Sequence, residues 1–378
     1  MKSLSDLRSR IDALDEQLLA LLDERARVAK EVAVVKRAVM RRKGPSPTGF
    51  HDPEREQAVL DRLASKGAGA FPRGAIRAVF REVMSACLSV EEPLTVAFLG
   101  PEGTYTQMAA RGAFGLAARY RDCATIEAVF DAVQRREAVY GVVPIENSSE
   151  GAVSMTTDAL IDGDLLIRRE VVLPVSHCLL THARRTTAIS RVFSHPQALA
   201  QCRAWLAKHA GKATLVHTPS TAAAAREAST DPTAAAIGSA LAGELYGLPA
   251  LETNIQDRRE NATRFVVVGA ADAPRTGADR TTIVFSVPHE RGALRRALSE
   301  FEAADANLTR IESRPHPREP WSYVFLVDVE GHRTDPPLER VLRRLRRSSD
   351  FVKVMGSYPR APSTEAPPKK KKRRRSVA

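Results

Sequence analysis

At 378 residues the chain is longer than one ordinary domain, and two to four domains are expected. Its 43% hydrophobic content can fill real cores, while four scattered cysteines with no CxxC pair exclude a disulfide framework or a zinc site and suit a reducing compartment. Lys369–Arg375 supplies seven of the 57 basic residues, so the rest of the chain carries 50 against 45 acidic ones, and the formal charge of +12 falls to +5. The basic run follows a proline-rich stretch, so 358–378 reads as a disordered, solvated tail, and no nucleic-acid partner is expected. Met1–Asp12 does not resemble a signal peptide, and no apolar run approaches the ~18 residues of a membrane span. A cytoplasmic protein is expected.

Residues 1–92 read as three helices. Leu4, Leu7, Ile11, Leu14, Leu18, Leu21, Val28, Val32 and Val35 keep a helical rhythm with no Gly or Pro before Gly44. Such a helix, roughly 37 residues and about 55 Å long, can bury its apolar face only against a partner chain or a sharp return of its own. Lys43–Gly49 is a loop, Asp52-Pro53 starts the second helix, and the third runs from Pro72 to Glu91. Arg25 and Lys36 fall about 20° apart on one face and roughly 16 Å apart along the axis, so both can reach one small anion. Arg8 lies about 25 Å from Arg25 and about 100° off that face. It is either a surface arginine or a contributor to a partner's site. Ile76, Phe80, Val83, Cys87 and Glu91 share one stripe, where Glu91 either ends an apolar row or faces water. Asp52 could be only an N-cap, and Arg55 and Glu56 a solvated first-turn pair.

Leu7-Arg8, Leu21-Leu22-Asp23-Glu24-Arg25, Val35-Lys36 and Asp52-Pro53-Glu54-Arg55-Glu56 together resemble the all-helical chorismate mutase family. The resemblance implies dimers of interlocked long helices. Arg25 and the partner chain's Arg8 would hold the two carboxylates of chorismate, Lys36 a carboxylate and the ether oxygen, and Asp52 and Glu56 the ring hydroxyl. Arg55 and Cys87 would line the same site. Cys87 stands where the family often has Ser, and Glu91 where it often has Gln. A glutamate donates to an ether oxygen only when protonated, a form that an apolar wall favours. The rearrangement needs no nucleophile and no proton transfer, so a set of cations without a Ser/His or Cys/His pair suits it.

From Leu94 to about Gly269, strands and helices alternate. Strands are expected at 94–99, 139–143, 165–173, 177–181, 190–194, 213–217, 234–237 and 264–268. Helices are expected near 105–117, 125–136, 152–161, 197–209, 220–228 and 239–246. This predicts an α/β domain over 94–270 with mostly parallel sheets, large enough for two lobes and a cleft. Three segments place polar residues after strands, where open α/β sheets bind ligands: Gly100–Thr106, Pro144–Gly151 and Ser194–Cys202. Each alone could be an ordinary turn, and a lone His195 is more often structural. With Asn261-Ala262-Thr263-Arg264-Phe265, the ordered set resembles prephenate dehydratase. The resemblance implies two lobes like a solute-binding protein, with Thr263 catalytic and Arg264 a carboxylate or structural partner. Thr104, Thr106, Glu146, Asn147, Ser148, Ser194, His195, Gln197, Gln201, Ser220, Thr221 and Phe265 would line or adjoin the cleft.

Residues 271–280 read as a linker, and 281–357 read βαββαβ, a ferredoxin-like α+β order. Gly292-Ala293-Leu294 and Asn307-Leu308-Thr309-Arg310-Ile311-Glu312-Ser313-Arg314-Pro315 could be a helix start and an edge strand. Together they resemble the ACT domain of phenylalanine-regulated dehydratases, which implies an effector pocket of Gly292, Ala293, Leu294, Asn307, Leu308, Glu312, Ser313, Arg314 and Pro315 at a subunit interface. The three resemblances imply a feedback-regulated enzyme of L-phenylalanine biosynthesis, converting chorismate to prephenate and prephenate to phenylpyruvate. It would be a homodimer or higher homo-oligomer and need no cofactor or metal. A ligand sensor without chemistry would need neither Thr263 nor the helical cations, and a nucleic-acid-associated protein has only the tail in its favour.

Overall fold

A computed structural model describes residues 3–44, 48–67, 69–258, 260–315 and 322–361, without the Lys43 side chain. Helix α1 (Leu4–Lys43) starts at a capping box, in which Ser3 Oγ accepts from the Asp6 amide and the Asp6 carboxylate accepts from the Ser3 amide. Its 40 residues span about 60 Å, and it ends at Gly44, whose φ of 87° suits glycine. Helix α2 (Pro53–Lys66) begins behind Asp52, whose carboxylate accepts from the Arg55 amide. Helix α3 (Arg73–Glu91) packs on both. Leu7, Ile11, Leu14, Leu18 and Leu21 nevertheless remain exposed along α1. Among the described residues no layer covers them.

The α/β region runs β1 (Thr95–Leu99), α4 (Tyr105–Phe114), β2 (Arg119–Cys123), α5 (Ile126–Gln134), β3 (Tyr140–Asn147), β4 (Gly151–Ala152), α6 (Ser154–Asp162) and β5 (Leu166–Pro174). It continues through β6 (Cys178–Thr181), β7 (Arg191–Ser194), α7 (Pro196–Gln201), α8 (Arg203–His209) and β8 (Thr214–His217). Then come α9 (Thr221–Ala228), β9 (Ala234–Gly238), α10 (Ala240–Tyr246), β10 (Ala250–Thr253) and β11 (Ala262–Gly269). One sheet is ordered β2-β1-β3-β11-β5 with β4 on β3, the other β10-β6-β9-β7-β8. The chain crosses between these lobes after β5 and returns in β11. The expected mostly parallel sheets are mixed. In the first, β1 is parallel to β2 and β3, but β11, coming back from the other lobe, is antiparallel to β3 and β5. In the second, β6 and β10 run antiparallel while β7, β8 and β9 are parallel. The single helix expected at 197–209 is two, divided at Cys202. All four cysteines are buried and free.

The last unit is β12 (Asp279–Ser286), α11 (Ala293–Glu302), β13 (Leu308–Pro315), β14 (Tyr323–Glu330), α12 (Pro336–Ser348) and β15 (Phe351–Pro359), an antiparallel sheet ordered β13-β14-β12-β15. Strand alternation gives this sheet two apolar faces. Ile283, Phe285 and Val327 meet Phe301, Val341 and Leu345 of its helices, while Val284, Leu326, Met355 and Tyr358 join a cluster with Ile167, Val266 and Val268 of the first lobe. A Cβ at Gly356, where φ is 146°, would stand 2.3 Å from the Ile167 carbonyl oxygen, so glycine permits β15 to lie on β5. Tyr358, expected in the tail, is fully buried in β15; of the tail itself, 362–378 lies outside the described residues. No described helix is long and apolar enough to cross a membrane.

Candidate active sites

The helical unit encloses a cavity of about 690 Å³ between α1, α2 and α3, lined by Arg25, Lys36, Asp52, Arg55, Glu56, Cys87 and Glu91 among others. Lys36 Nζ donates to Glu91 Oε2 and to the Phe50 carbonyl, each at 2.8 Å. Glu91 therefore turns inward, its side chain 11% exposed, and is held as the partner of an ammonium. Arg25 Nη1 lies 3.5 Å from the Val83 carbonyl. Asp52 both caps α2 and lines the cavity. Arg8, seventeen residues before Arg25, is not among the lining residues.

Glu56 accepts from His51 Nε2 at 3.0 Å, and His51 Nδ1 meets the Tyr140 hydroxyl at 3.0 Å. Burial pushes the Glu56 carboxyl up, but the His51 hydrogen bond and the charges of His51, Arg169 and Arg81 outweigh it and hold the group below its ordinary range. The sequence reading missed His51 and Arg62 in this lining. His51 precedes the cap at Asp52 and falls in no helical stripe, so no periodicity marks it.

The second site lies between the lobes, a cavity of about 480 Å³. Thr104, Thr106, Asn147, His195, Gln197, Gln201, Ser220, Thr221, Thr263 and Phe265 line it. Three helix starts explain much of this set. Thr104, His195 and Ser220 cap α4, α7 and α9, accepting from the amides of Gln107, Gln197 and Ala223. Gly103, at φ 88°, lets its turn approach Ala242 of α10, where a Cβ would be 3.2 Å from the Ala242 Cα. Ser239 Oγ, which caps α10, donates to the Gly103 carbonyl at 2.8 Å, joining the two lobes at the cleft edge. At the centre, Asn147 Nδ2 donates to Thr263 Oγ1 at 2.8 Å while Asn147 Oδ1 accepts from the Ser149 amide.

Four residues expected at this cleft lie elsewhere. Thr263 and Phe265 face the cavity, so the intervening Arg264 points to the opposite face of β11, as period-two alternation requires. Glu146, paired in register with Arg264, points the same way. Ser148 Oγ is occupied by Asn261 Oδ1 and the Ala262 amide, stitching β3 to the start of β11. Ser194 is buried, and its hydroxyl donates to the Ile237 carbonyl at 2.7 Å. Conversely, Tyr105, Glu150 and His177 line the cleft unforeseen. His177 Nε2 meets Gln201 Oε1 at 2.9 Å, and Tyr105 Oη donates to the Ser176 carbonyl at 2.6 Å. Burial lowers the His177 pKa more than the Gln201 contact raises it, which favours a neutral ring that fixes the Gln201 amide. A single histidine beside Cys178 in an apolar strand carries no signal of this.

In the C-terminal unit, Gly292 (φ 77°) precedes α11, Ala293 is buried and Leu294 half-buried. Asn307 leads into β13, whose side chains alternate: Leu308 and Glu312 are half-buried, Ser313 and Pro315 exposed. Arg314, expected at an effector pocket, instead reaches α6, pairing with Asp158 at 2.9 Å and donating to the Ser154 carbonyl. The strand has an open edge, and a long arginine there finds the nearest carboxylate of the neighbouring lobe.

Family models match each unit: chorismate mutase type II over residues 7–92, prephenate dehydratase over 96–273 and the ACT domain over 281–347. The bifunctional chorismate mutase/prephenate dehydratase of Aquifex aeolicus is 42% identical over 365 residues, covering 96% of this chain and 99% of its own. That of Pseudomonas aeruginosa is 43% identical, covering 95% and 98%. The structure of prephenate dehydratase in complex with L-Phe from Arthrobacter aurescens is 37% identical with a TM-score of 0.66, covering 72% of this chain and 94% of that one. With three matching units in one order and near full-length relatives, the chain belongs to the bifunctional chorismate mutase/prephenate dehydratase family of aromatic amino-acid biosynthesis.

Proposed function

We propose that the chain makes phenylpyruvate for L-phenylalanine synthesis in the cytoplasm, using two separate sites under control of its C-terminal unit. At the first, Arg25, Lys36 and Arg8 of the partner subunit hold the chorismate dianion folded, and Lys36 and Glu91 face the ether oxygen as its bond breaks. Asp52, Arg55, Glu56 and Cys87 complete the wall. Positioning and charge stabilisation suffice, because the rearrangement transfers no proton. The open apolar face of α1 supports a homodimer, since an uncovered stripe of leucines that long invites a second copy.

At the second site prephenate loses carbon dioxide and its ring hydroxyl, which leaves as water once protonated. Asn147 holds Thr263 Oγ1 at the centre of the cleft, and this contact carries the reading. Thr263 donates to the departing oxygen, while His195, Gln197, Gln201, Ser220, Thr221 and the Thr104–Thr106 turn hold the carboxylates and ring. No cofactor is invoked. The C-terminal unit takes L-phenylalanine through Gly292–Leu294 and the Asn307–Pro315 strand of adjoining subunits, and binding lowers dehydratase turnover. The Arthrobacter aurescens protein with L-Phe supports this effector class. The test supplies purified protein with chorismate and follows prephenate and phenylpyruvate, with and without L-phenylalanine. Chorismate consumption, phenylpyruvate release and suppression by phenylalanine are expected; release unaffected by phenylalanine would remove the effector assignment.

A further inference from the structure

Arg264 sits between two cleft residues, yet its guanidinium is 10% exposed on the other side of the sheet. Nε donates to Glu170 Oε2 at 2.8 Å, Nη1 to Asp328 Oδ2 at 2.6 Å and Nη2 to Tyr358 Oη at 2.7 Å. Glu170 belongs to β5 of the same lobe, but Asp328 and Tyr358 belong to β14 and β15 of the C-terminal sheet. Thr282 of β12 steadies both, donating to Asp328 Oδ1 at 2.7 Å and meeting Tyr358 Oη at 2.6 Å. Glu146 Oε2 lies 3.5 Å from Arg264 Nη1 and 3.7 Å from Nε of Arg310, on the edge strand β13. Burial disfavours the charge of Asp328, but Arg264 outweighs it and holds the carboxyl below its ordinary range.

Thr263 pairs with Asn147 and Arg264 with Glu146 in the same ladder, so each cleft residue is one peptide from a residue gripped by this network. The register shifts between Arg264 and Phe265. These two residues face Glu146 and Pro144 of β3, so the extra residue is Ile145, and the bulge bends β3 beside Glu146 and re-aims the side chains next to it. What fixes Arg264 therefore fixes where Thr263 Oγ1 stands.

We propose that Arg264 is a positioning residue of the dehydratase, through which Asp328 and Tyr358 of the C-terminal sheet seat Thr263 against Asn147; this rests on Thr263 as the donating hydroxyl. It does not touch substrate. The docking of the regulatory unit thereby enters the turnover number directly, and β13 reaches the same ladder through Arg310 and Glu146.

The test uses the full chain with Asp328→Asn, Tyr358→Phe and Arg264→Lys, alone and combined with Thr263→Ala. Dehydratase kcat and KM are measured separately on prephenate, mutase rate on chorismate, and folded fraction by thermal unfolding. Tyr358→Phe removes one hydroxyl and keeps the fold accessible if Asp328→Asn does not. In each single variant kcat per folded chain falls about tenfold or more, because small misplacements of reacting groups are costly, with KM within about twofold and the mutase unchanged. On the Thr263→Ala background the same changes add little further loss, since they act through the missing hydroxyl. A kcat per folded chain equal to the parent in both Asp328→Asn and Tyr358→Phe overturns the proposal. So does a raised KM at constant kcat confined to Arg264→Lys, the signature of a substrate ligand. Near-normal turnover in Thr263→Ala alone would instead remove Thr263 and leave the network to be judged by its own variants.

Discussion

Thr263→Ala separates the two reactions. The change removes Oγ1, the acceptor for Asn147 Nδ2 at 2.8 Å, and leaves a methyl group in a half-buried position at the cleft. Asn147 keeps its second contact, to the Ser149 amide, and the freed amide hydrogens face a cavity that water can fill. The stability cost is therefore about 1 kcal/mol, the size of one ordinary hydrogen bond. That is small against the roughly 5–15 kcal/mol that holds a native protein together, so the variant stays folded. Loss of a general acid costs about 10²–10⁴ in rate. At 1.36 kcal/mol per decade this is roughly 2.7–5.4 kcal/mol of barrier, well above the loss of stability. Chorismate is still consumed, prephenate accumulates and phenylpyruvate falls to about 1% or less of the parent rate. Thr263→Ser, which keeps the donor, retains part of the activity. Circular dichroism establishes folding, and both products are quantified. A folded Thr263→Ala enzyme that makes phenylpyruvate at near the parent rate refutes the assignment.

Three further outcomes are expected. Arg8→Ala and Arg25→Ala chains are each inactive as mutases but regain activity when mixed and re-equilibrated, because one hybrid site holds both arginines; mixtures as inactive as the parents would exclude shared sites. Glu91→Ala lowers mutase turnover about tenfold or more, because Lys36 loses the carboxylate that holds its ammonium at 2.8 Å; a rate equal to the parent would remove Glu91 from the mechanism. Truncation after Ala361 leaves both rates within about twofold, roughly 0.4 kcal/mol, since the Ala361 amide still reaches Glu170 Oε1 at 2.7 Å, whereas truncation before Tyr358 lowers dehydratase turnover by removing a partner of Arg264.

Much of this architecture was legible because it is periodic. The stripe from Leu4 to Val35 gave α1, and the Asp52-Pro53 pair gave the start of α2. Strand direction was not legible, because an apolar run such as Phe265–Val268 reads the same whichever way its neighbours point. Polar edge strands such as Arg119–Cys123 escaped for lack of an apolar signature. Arg264 is a different case. Its outward orientation follows from alternation with Thr263 and Phe265, and treating the motif as one functional block concealed it. Tyr358 was lost to the proline-rich run after it, where composition suggested a tail although the sheet runs on to Pro359. Glu91 and Lys36 share a pocket from distant helices, a contact that no spacing along one helix can disclose.

The two sites meet opposite ends of one strand. Tyr140 opens β3 beneath His51, whose other nitrogen holds Glu56 of the mutase cavity, while Asn147 closes β3 at the dehydratase cleft. Seven residue steps separate them, about 24 Å along an extended strand. Prephenate is far shorter than that, so it cannot occupy both cavities at once and must leave the first before entering the second. A strand pinned at one end by a histidine bridge and near the other by the Arg264–Glu146 contact is also poorly placed to move as a whole. Changes at the C-terminal sheet should therefore reach Asn147 and Thr263, through the last two residues of the strand, without disturbing Tyr140. On the proposed reading, that asymmetry would let one regulatory unit act on the dehydratase and leave the mutase rate unchanged.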